Sequence, residues 1–332
     1  MRDHAHHYSP SRGARKATRA LSVLFAGILS AATAHAEWPD RPIRIIAPST
    51  AGGAADTFAR VLADKLAPML GATIIVDNRT GGGGLVGVAA TSQAAPDGYT
   101  LVISSAAYNT IEPFVSANPG FDPQRGFTHI AYMGGQPNTF VVSAKSEFRS
   151  MPEIVAAAKA GRGVDYVSPG VGTLGHLLME SLAAQAGVKL QHIPHRGASQ
   201  AMLDLVAGTV PLGTMTWGSA IGQIRAGTVR PVAISSEKRA AEFPDVPTLQ
   251  ELGYGLVANS WFGLSGPPGL PAAIVTRLNR GAIEVLARPE VRAKFDADGI
   301  TSPPMTPEEF SALVAADIAK WQPAVKRLRL AH

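Results

Sequence analysis

The chain has 332 residues, 46% hydrophobic and 17% charged, with no cysteine. Those figures exclude a disulfide-stapled mini-protein, a disordered tail protein, a cysteine nucleophile and cysteine-type zinc sites. Of the formal charge of +5, +4 sits in residues 1–36, where Arg2, Arg12, Arg15, Lys16 and Arg19 face one acid, Asp3. The near-neutral remainder has no general basic footprint for nucleic acid.

Arg12 to Arg19 form a positive segment, Ala20 to Ala32 an apolar run, and Ala34-His35-Ala36 a small-x-small cleavage site. This is the three-part pattern of a secretory signal peptide, assigned to residues 1–36. The apolar run falls short of the roughly 20 residues that span a bilayer. No cysteine follows the cleavage site, so a lipid anchor is excluded. His4, His6 and His7 leave with the leader, so no metal site is read there. The mature chain is expected in the bacterial periplasm, where free ATP and NAD are not normally available.

The remaining 296 residues, at about 150 per domain, predict two domains. Arg41–Pro48 reads as a strand and Thr50 to Gly53 as a turn. Residues 54–70 read as a helix with Phe58, Val61, Leu62, Leu66 and Met69 on one face. A strand at 73–76, a glycine loop at 81–84, a helix at 85–93 and a strand at 99–104 complete a β-α-β-α-β unit. Ser104-Ser105-Ala106-Ala107 follows that last strand. A second series opens at Phe140–Ser143. Ser150 and Glu153 form a capping box, and strands are expected at 164–168, 189–194, near 213–217 and at 232–235. Helices are expected at 174–185 and 200–207. From Trp261 a third stretch ends in helices at 272–286 and 307–321, the latter capped by Thr306 with Glu309. This tail is expected to pack back on the first unit. The whole reads as α/β with mostly parallel strands, in two lobes that the chain crosses between twice, leaving a cleft.

Gly170-Val171-Gly172-Thr173-Leu174-Gly175 is a literal G-x-G-x-x-G between strand and helix. A dinucleotide site also needs an acid about 20 residues on; the next strand ends instead in His195-Arg196. No cofactor is expected. The same loop suits a carboxylate, because glycines admit a ligand close to the backbone and a helix start offers unpaired N–H groups. Ser168 and Thr173 add hydroxyls, and Thr173 is expected to donate to a buried carboxylate. Thr50-Ala51-Gly52-Gly53 and Gly81–Gly84 are loops of the same kind. His176, His192 and His195 are acid–base candidates, but none lies in a metal pattern, and no G-x-S-x-G elbow or phosphate-loop motif is present. His176, in a first helical turn, suits capping or packing equally well. Asp56 complements a helix start or contacts a ligand amine or hydroxyl.

In order and spacing these motifs resemble one family over nearly the whole mature chain: the solute-binding proteins of tripartite tricarboxylate transporters, or Bug proteins. The matching strings are Trp38-Pro39-Asp40-Arg41-Pro42-Ile43, Ala51-Gly52-Gly53-Ala54-Ala55-Asp56, and Val76-Asp77-Asn78-Arg79 with the glycines after it. Pro96-Asp97-Gly98-Tyr99-Thr100-Leu101 and Ser168-Pro169-Gly170-Val171-Gly172-Thr173 with His176-Leu177 are two more. Pro244-Asp245-Val246-Pro247-Thr248 with Glu251 and Gly253 is the last. The resemblance implies a two-lobed periplasmic binding protein of the Venus-flytrap, type II-like kind. Its lobes would be 37–140 plus 260–332, and 141–259, with hinges near Pro137-Asn138-Thr139 and Asn259-Ser260. It implies capture of a small organic anion, a carboxylate, for a tripartite membrane permease, by a monomer without metal or cofactor. The ligand residues it implies are Thr50, Ala51, Gly52, Gly53 and Asp56 in one lobe, with Ser105 added from the strand-end loop. In the other lobe they are Ser168, Gly170, Gly172, Thr173 and His176.

Three positions depart from the family pattern: Ser49 replaces an aromatic, His195-Arg196 replaces Tyr-Lys, and Met215-Thr216 replaces an Asp-Asn pair. His195 and Thr216 therefore join the candidate ligand residues. A lost acid beside gained His and Arg predicts a ligand without an ammonium group. Two other classes stay open: an exported enzyme acting on a small carboxylate with His176 or His195 as base, and a ligand-binding input to a sensor kinase.

Overall fold

The computed structural model describes residues 38–195 and 197–327. The predicted leader and Arg196 lie outside them.

Strand β1 (Ile43–Ala47) buries Ile43, Ile45 and Ile46. It pairs in parallel with β2 (Ile74–Asn78) and β3 (Thr100–Ser105). Parallel neighbours need crossovers, which α1 (Ala54–Leu70) and α2 (Leu85–Ser92) supply. Helix α1 buries Phe58, Leu62 and Leu66 and leaves Val61 and Met69 half-buried. It ends at Gly71, whose φ of +66° lets its N–H reach the carbonyls of Ala67 and Pro68. After β3 a π-helical segment, Ala106–Ile111, runs into α3 (Glu112–Val115).

Next comes β4 (Thr128–Ser143), sixteen residues long. Only its last four residues are expected from the sequence, because Gly134-Gly135-Gln136-Pro137-Asn138 carries no strand-like alternation and Pro137-Asn138-Thr139 is expected as a hinge. In the fold those residues are extended because both edges of β4 are paired. Residues 128–137 run antiparallel to β9 (Asn259–Gly266), and residues from Asn138 onward run antiparallel to β7 (Leu212–Thr216) and β8 (Val229–Ile234). Two register shifts, after His129 and after Tyr132, accommodate the glycines. Between β4 and β7 lie α4 (Met151–Lys159), β5 (Asp165–Ser168), α5 (Leu174–Ala186), β6 (Gln191–Pro194) and α6 (Ala198–Ala207). Strand β5 pairs in parallel with β6 and β7. Helix α7 (Trp217–Arg225) leads to β8. The sheet order is β2-β1-β3-β9-β4-β7-β5-β6, with β8 also on β4. Two parallel sheets are thus joined by antiparallel strands, a mixed arrangement where mostly parallel strands are expected. The chain re-enters the first sheet along β9, running against β4, and that direction dictates the antiparallel seam.

The tail forms α8 (Ala272–Ala287), α9 (Pro289–Ala297) and α10 (Pro307–Arg327). The short α9 is absent from the sequence reading, and α10 continues through Pro323 past the expected end. Phe310, Val314 and Ile318 of α10 pack with Tyr132 and Trp261 of the first sheet. Trp321, Ala324 and Val325 instead join Phe140, Leu174, Leu178 and other core residues around the second sheet. The last helix therefore braces both sheets rather than one.

Gly263 marks the tightest point of that brace. A Cβ there would overlap the ring of fully buried Phe310 and approach the Ala131 carbonyl at 3.0 Å. Gly263→Ala is expected to destabilise the fold by about 2–3 kcal/mol, the usual cost of overpacking. A urea midpoint equal to wild type would show that α10 shifts freely. Among the described residues no helix is long and apolar enough to cross a membrane. Nor is any group of three or more His, Asp or Glu side chains placed to hold a metal ion.

Candidate functional site

Four helix starts converge on one cavity of about 210 Å³. Each follows a strand, and each is opened by a small or hydroxyl-bearing residue with extended backbone, the usual helix N-cap. Gly53 precedes α1, Ser105 the π-helical segment, Thr173 α5 and Thr216 α7. The lining includes Ala54, Ala106, Ala107, Leu174, Gly175 and Ser219 from these starts. Gln136, Asn138, Ser260, Trp261 and Phe262 line it from β4 and β9.

The caps leave specific donors over. Ser105 Oγ accepts from Tyr108 N–H at 3.2 Å, and Asn109 Oδ1 accepts from Ser105 N–H at 3.0 Å. Thr173 Oγ1 accepts from His176 N–H at 3.4 Å and donates to the Gly170 carbonyl at 2.8 Å. Its hydroxyl proton is therefore spent inside the loop rather than pointed at the cavity. The backbone N–H groups of Ala54, Ala106, Ala107, Leu174 and Gly175 take no acceptor among the described residues. Gly218 N–H donates to Gln136 Oε1 at 2.6 Å. Among the described residues no charged side chain lines the cavity; helix dipoles and unpaired amides point positive ends at it, which suits a small anion. Tyr108, Leu174, Trp261 and Phe262 provide apolar wall. Phe262 stacks on Phe58 at 4.7 Å, and Trp261 Nε1 donates to Asp317 Oδ2 at 2.6 Å.

Of the residues singled out in the sequence, Ser105, Thr173 and Thr216 line this cavity. Ser168, Gly170, Gly172 and His176 shape the loop behind it. Ser168 Oγ accepts from Gly170 N–H at 3.2 Å and lies 2.7 Å from His192 Nε2. His176 Nδ1 accepts from Gly172 N–H at 3.3 Å, and its ring stacks on His192 at 4.0 Å. His192 stacks in turn on Tyr166 at 4.9 Å, and burial holds its ring down to about 4, hence neutral. His195 sits away from the cavity, with Nε2 2.9 Å from the Asp204 carboxylate. Thr50, Ala51, Gly52, Gly53 and Asp56 form the turn before α1. Asp56 is buried and takes Arg60 Nε, Gly52 N–H and Asn78 Nδ2 at 2.9–3.0 Å. The Arg60 hydrogen bond leads in holding its carboxyl down to about 2. Ala51, Gly52 and Asp56 border a separate surface depression with Arg60 and Lys294.

Glu112 carries no motif in the sequence, yet the fold places it at the site. The Glu112 carboxyl lies against Gly83 and Gly172, the two glycine loops on opposite sides of the cleft. It takes no hydrogen-bond or ion-pair partner among the described residues, and burial pushes it up to about 7. Asn138 and Ser260, expected as hinge residues, also line the cavity, and Gln136 joins them from β4 although it carries no local motif. Polar residues within an otherwise apolar strand were the available signal.

A family model described as the tripartite tricarboxylate transporter family receptor matches residues 58–330. BugT of Bordetella pertussis is 34% identical over 318 residues, covering 93% of this chain and 97% of its own. The R. palustris protein Rpa4515 with adipate matches with a TM-score of 0.78 at 28% identity, over 88% of this chain and 98% of its own. MatC from Rhodopseudomonas palustris with bound malate matches with a TM-score of 0.77 at 26% identity, over 87% and 100%.

Proposed function

The chain belongs to the tripartite tricarboxylate transporter receptor family, and from that premise we propose that it captures a small carboxylate in the cleft between its two lobes. The carrying observation is the convergence of four helix starts on a cavity lined by amides and hydroxyls and, among the described residues, by no charged side chain. The adipate and malate bound by its structural relatives support the same ligand class. With no Asp or Glu in the lining among the described residues to hold an ammonium group, the preferred ligand is a plain mono- or dicarboxylate rather than an amino acid. The lobes are 37–140 plus 260–332, and 141–259, hinged where β4 passes between sheets and where the chain enters β9. The protein acts as an exported periplasmic monomer that delivers its ligand to a tripartite permease. It is not an enzyme: the histidines of the loop are engaged in stacking and loop contacts.

The test is incubation of residues 37–332 with malate, adipate, benzoate, aspartate and glutamate. At a hundredfold excess over Kd, binding contributes about 2.7 kcal/mol, or roughly 5–10 °C in Tm. We expect that shift with a plain acid, which NMR then finds chemically unchanged. Product formation, or a shift confined to aspartate and glutamate, would overturn the proposal.

A further inference from the structure

Asn138 occupies the residue at which β4 leaves β9 and joins β7. Pro137 is the last residue paired with β9, opposite Asn259, and Asn138 is the first paired with β7, opposite Thr216. It is 2% exposed, and three of its four polar groups are engaged. Its N–H donates to Ser235 Oγ and its carbonyl accepts from Ser235 N–H, both at 2.9 Å. Its Oδ1 accepts from Ser260 Oγ at 2.9 Å, across 122 residues of sequence. Nδ2 takes no acceptor among the described residues, yet Asn138 lines the cavity. Nδ2 lies 3.0 Å from where a Gly175 Cβ would stand, beside the unpaired Gly175 N–H. Thr214 Oγ1, wholly buried and likewise without a partner, lies 2.9 Å from the same point. Buried polar groups are nearly always paired; Thr214 Oγ1 stays unpaired within the wall, whereas Asn138 Nδ2, on a residue that lines the cavity, can be completed by an acceptor that enters it.

We infer that Asn138 Nδ2 is a specificity-determining donor that reads one carboxylate oxygen of the ligand, together with the Leu174 and Gly175 amides. This rests on the carboxylate reading of the cavity. Ser260 holds the amide group with nitrogen, not oxygen, toward the ligand. Because Asn138 stands where β4 passes from one sheet to the other and Ser260 stands at the start of β9, where the chain returns to the first sheet, ligand recognition is placed at the hinge itself.

The test is titration of wild type, Asn138→Asp, Asn138→Ala and Ser260→Ala with malate, adipate and aspartate, following Trp261 fluorescence and calorimetry. Asn138→Asp keeps an acceptor for Ser260 but turns an acceptor toward the ligand. We expect at least a thirtyfold loss of malate affinity and at least a tenfold fall in the malate-to-aspartate preference. Loss of packing alone would lower both affinities together. Asn138→Ala should lose about tenfold for each plain acid, and Ser260→Ala, which removes the Oδ1 partner and one hydroxyl of the lining, three- to tenfold. Should Asn138→Asp not fold by circular dichroism, the Ser260→Ala and Asn138→Ala titrations decide. Wild-type binding with unchanged affinities and preference in the variants overturns this inference alone. Failure of wild type to bind any of the three acids overturns the reading of the cavity, and this inference with it.

Discussion

Gly172→Val is expected to remove carboxylate binding, by at least a hundredfold in Kd, while the fold stands. Gly172 has φ +76°, a conformation that costs an L-residue roughly 1–2 kcal/mol and a β-branched one more. A Cβ there would also overlap Glu112 Oε1 and approach its Cδ at 2.8 Å. The loop must then move, and with it the N–H that His176 Nδ1 accepts, the Thr173 cap and the unpaired amides of Leu174 and Gly175. A hundredfold loss is about 2.7 kcal/mol, within reach of losing two charge-assisted hydrogen bonds. The effect stays local because the loop is built on α5 and β5, whose buried residues do not contact Gly172's missing side chain. Calorimetry with the acid that stabilises wild type measures it. Pairing the change with Glu112→Ala separates its two causes: the overlap is relieved and the positive φ is not, so partial recovery is expected. A Gly172→Val protein that binds like wild type would detach this loop from the ligand.

The second large effect lies at Glu112 itself, and it depends on pH. Its carboxyl titrates near 7 in the fold against an ordinary 4.5, because burial disfavours the charged form. The native state thus holds a proton that the unfolded chain releases. That contribution is fully present below pH 4.5 and is lost as pH rises to 7, leaving a charged carboxylate that costs about 3 kcal/mol. Two histidines work in the opposite sense. Burial lowers His129 and His192 to about 4 from 6.5, so their contribution is lost as pH falls from 6.5 toward 4. Between pH 4.5 and 6.5 the opposing slopes mask one another in wild type. The difference between Glu112→Gln and wild type cancels the histidines. The variant should match wild type at pH 4.5 and exceed it by about 2–3 kcal/mol at pH 8, read as urea unfolding at each pH. A difference that does not change with pH would mean that water reaches the carboxyl.

The outcome at each element follows from how local its cause is. The helix 54–70 and the capped helices at 151, 174 and 307 are legible because each carries its own apolar stripe and its own stop or start residues. Ser105 and Thr173 are legible as cavity residues for the same reason, since a small hydroxyl between a buried strand and a helix is a local signal; Thr216 is legible only as a departure from the family pattern. Residues 128–139 fail that test. Their glycines, proline and amides carry no strand-like alternation, and only pairing with β9 on one side and with β7 and β8 on the other draws them straight. The same holds for α10, whose apolar stripe predicts a helix but not which sheet it covers.

From the sequence alone follow the helix-start loops, the absence of a catalytic or metal motif, and the expected preference for an anion, since these depend on neighbours within a few residues. The tertiary structure alone decided that Asp56 is absorbed by Arg60 and Asn78, that Glu112 stands between two glycine loops, and that Asn138 meets Ser260. Those contacts join residues far apart in the chain through the register of an antiparallel seam. Register is a property of paired strands that no single stretch of residues encodes.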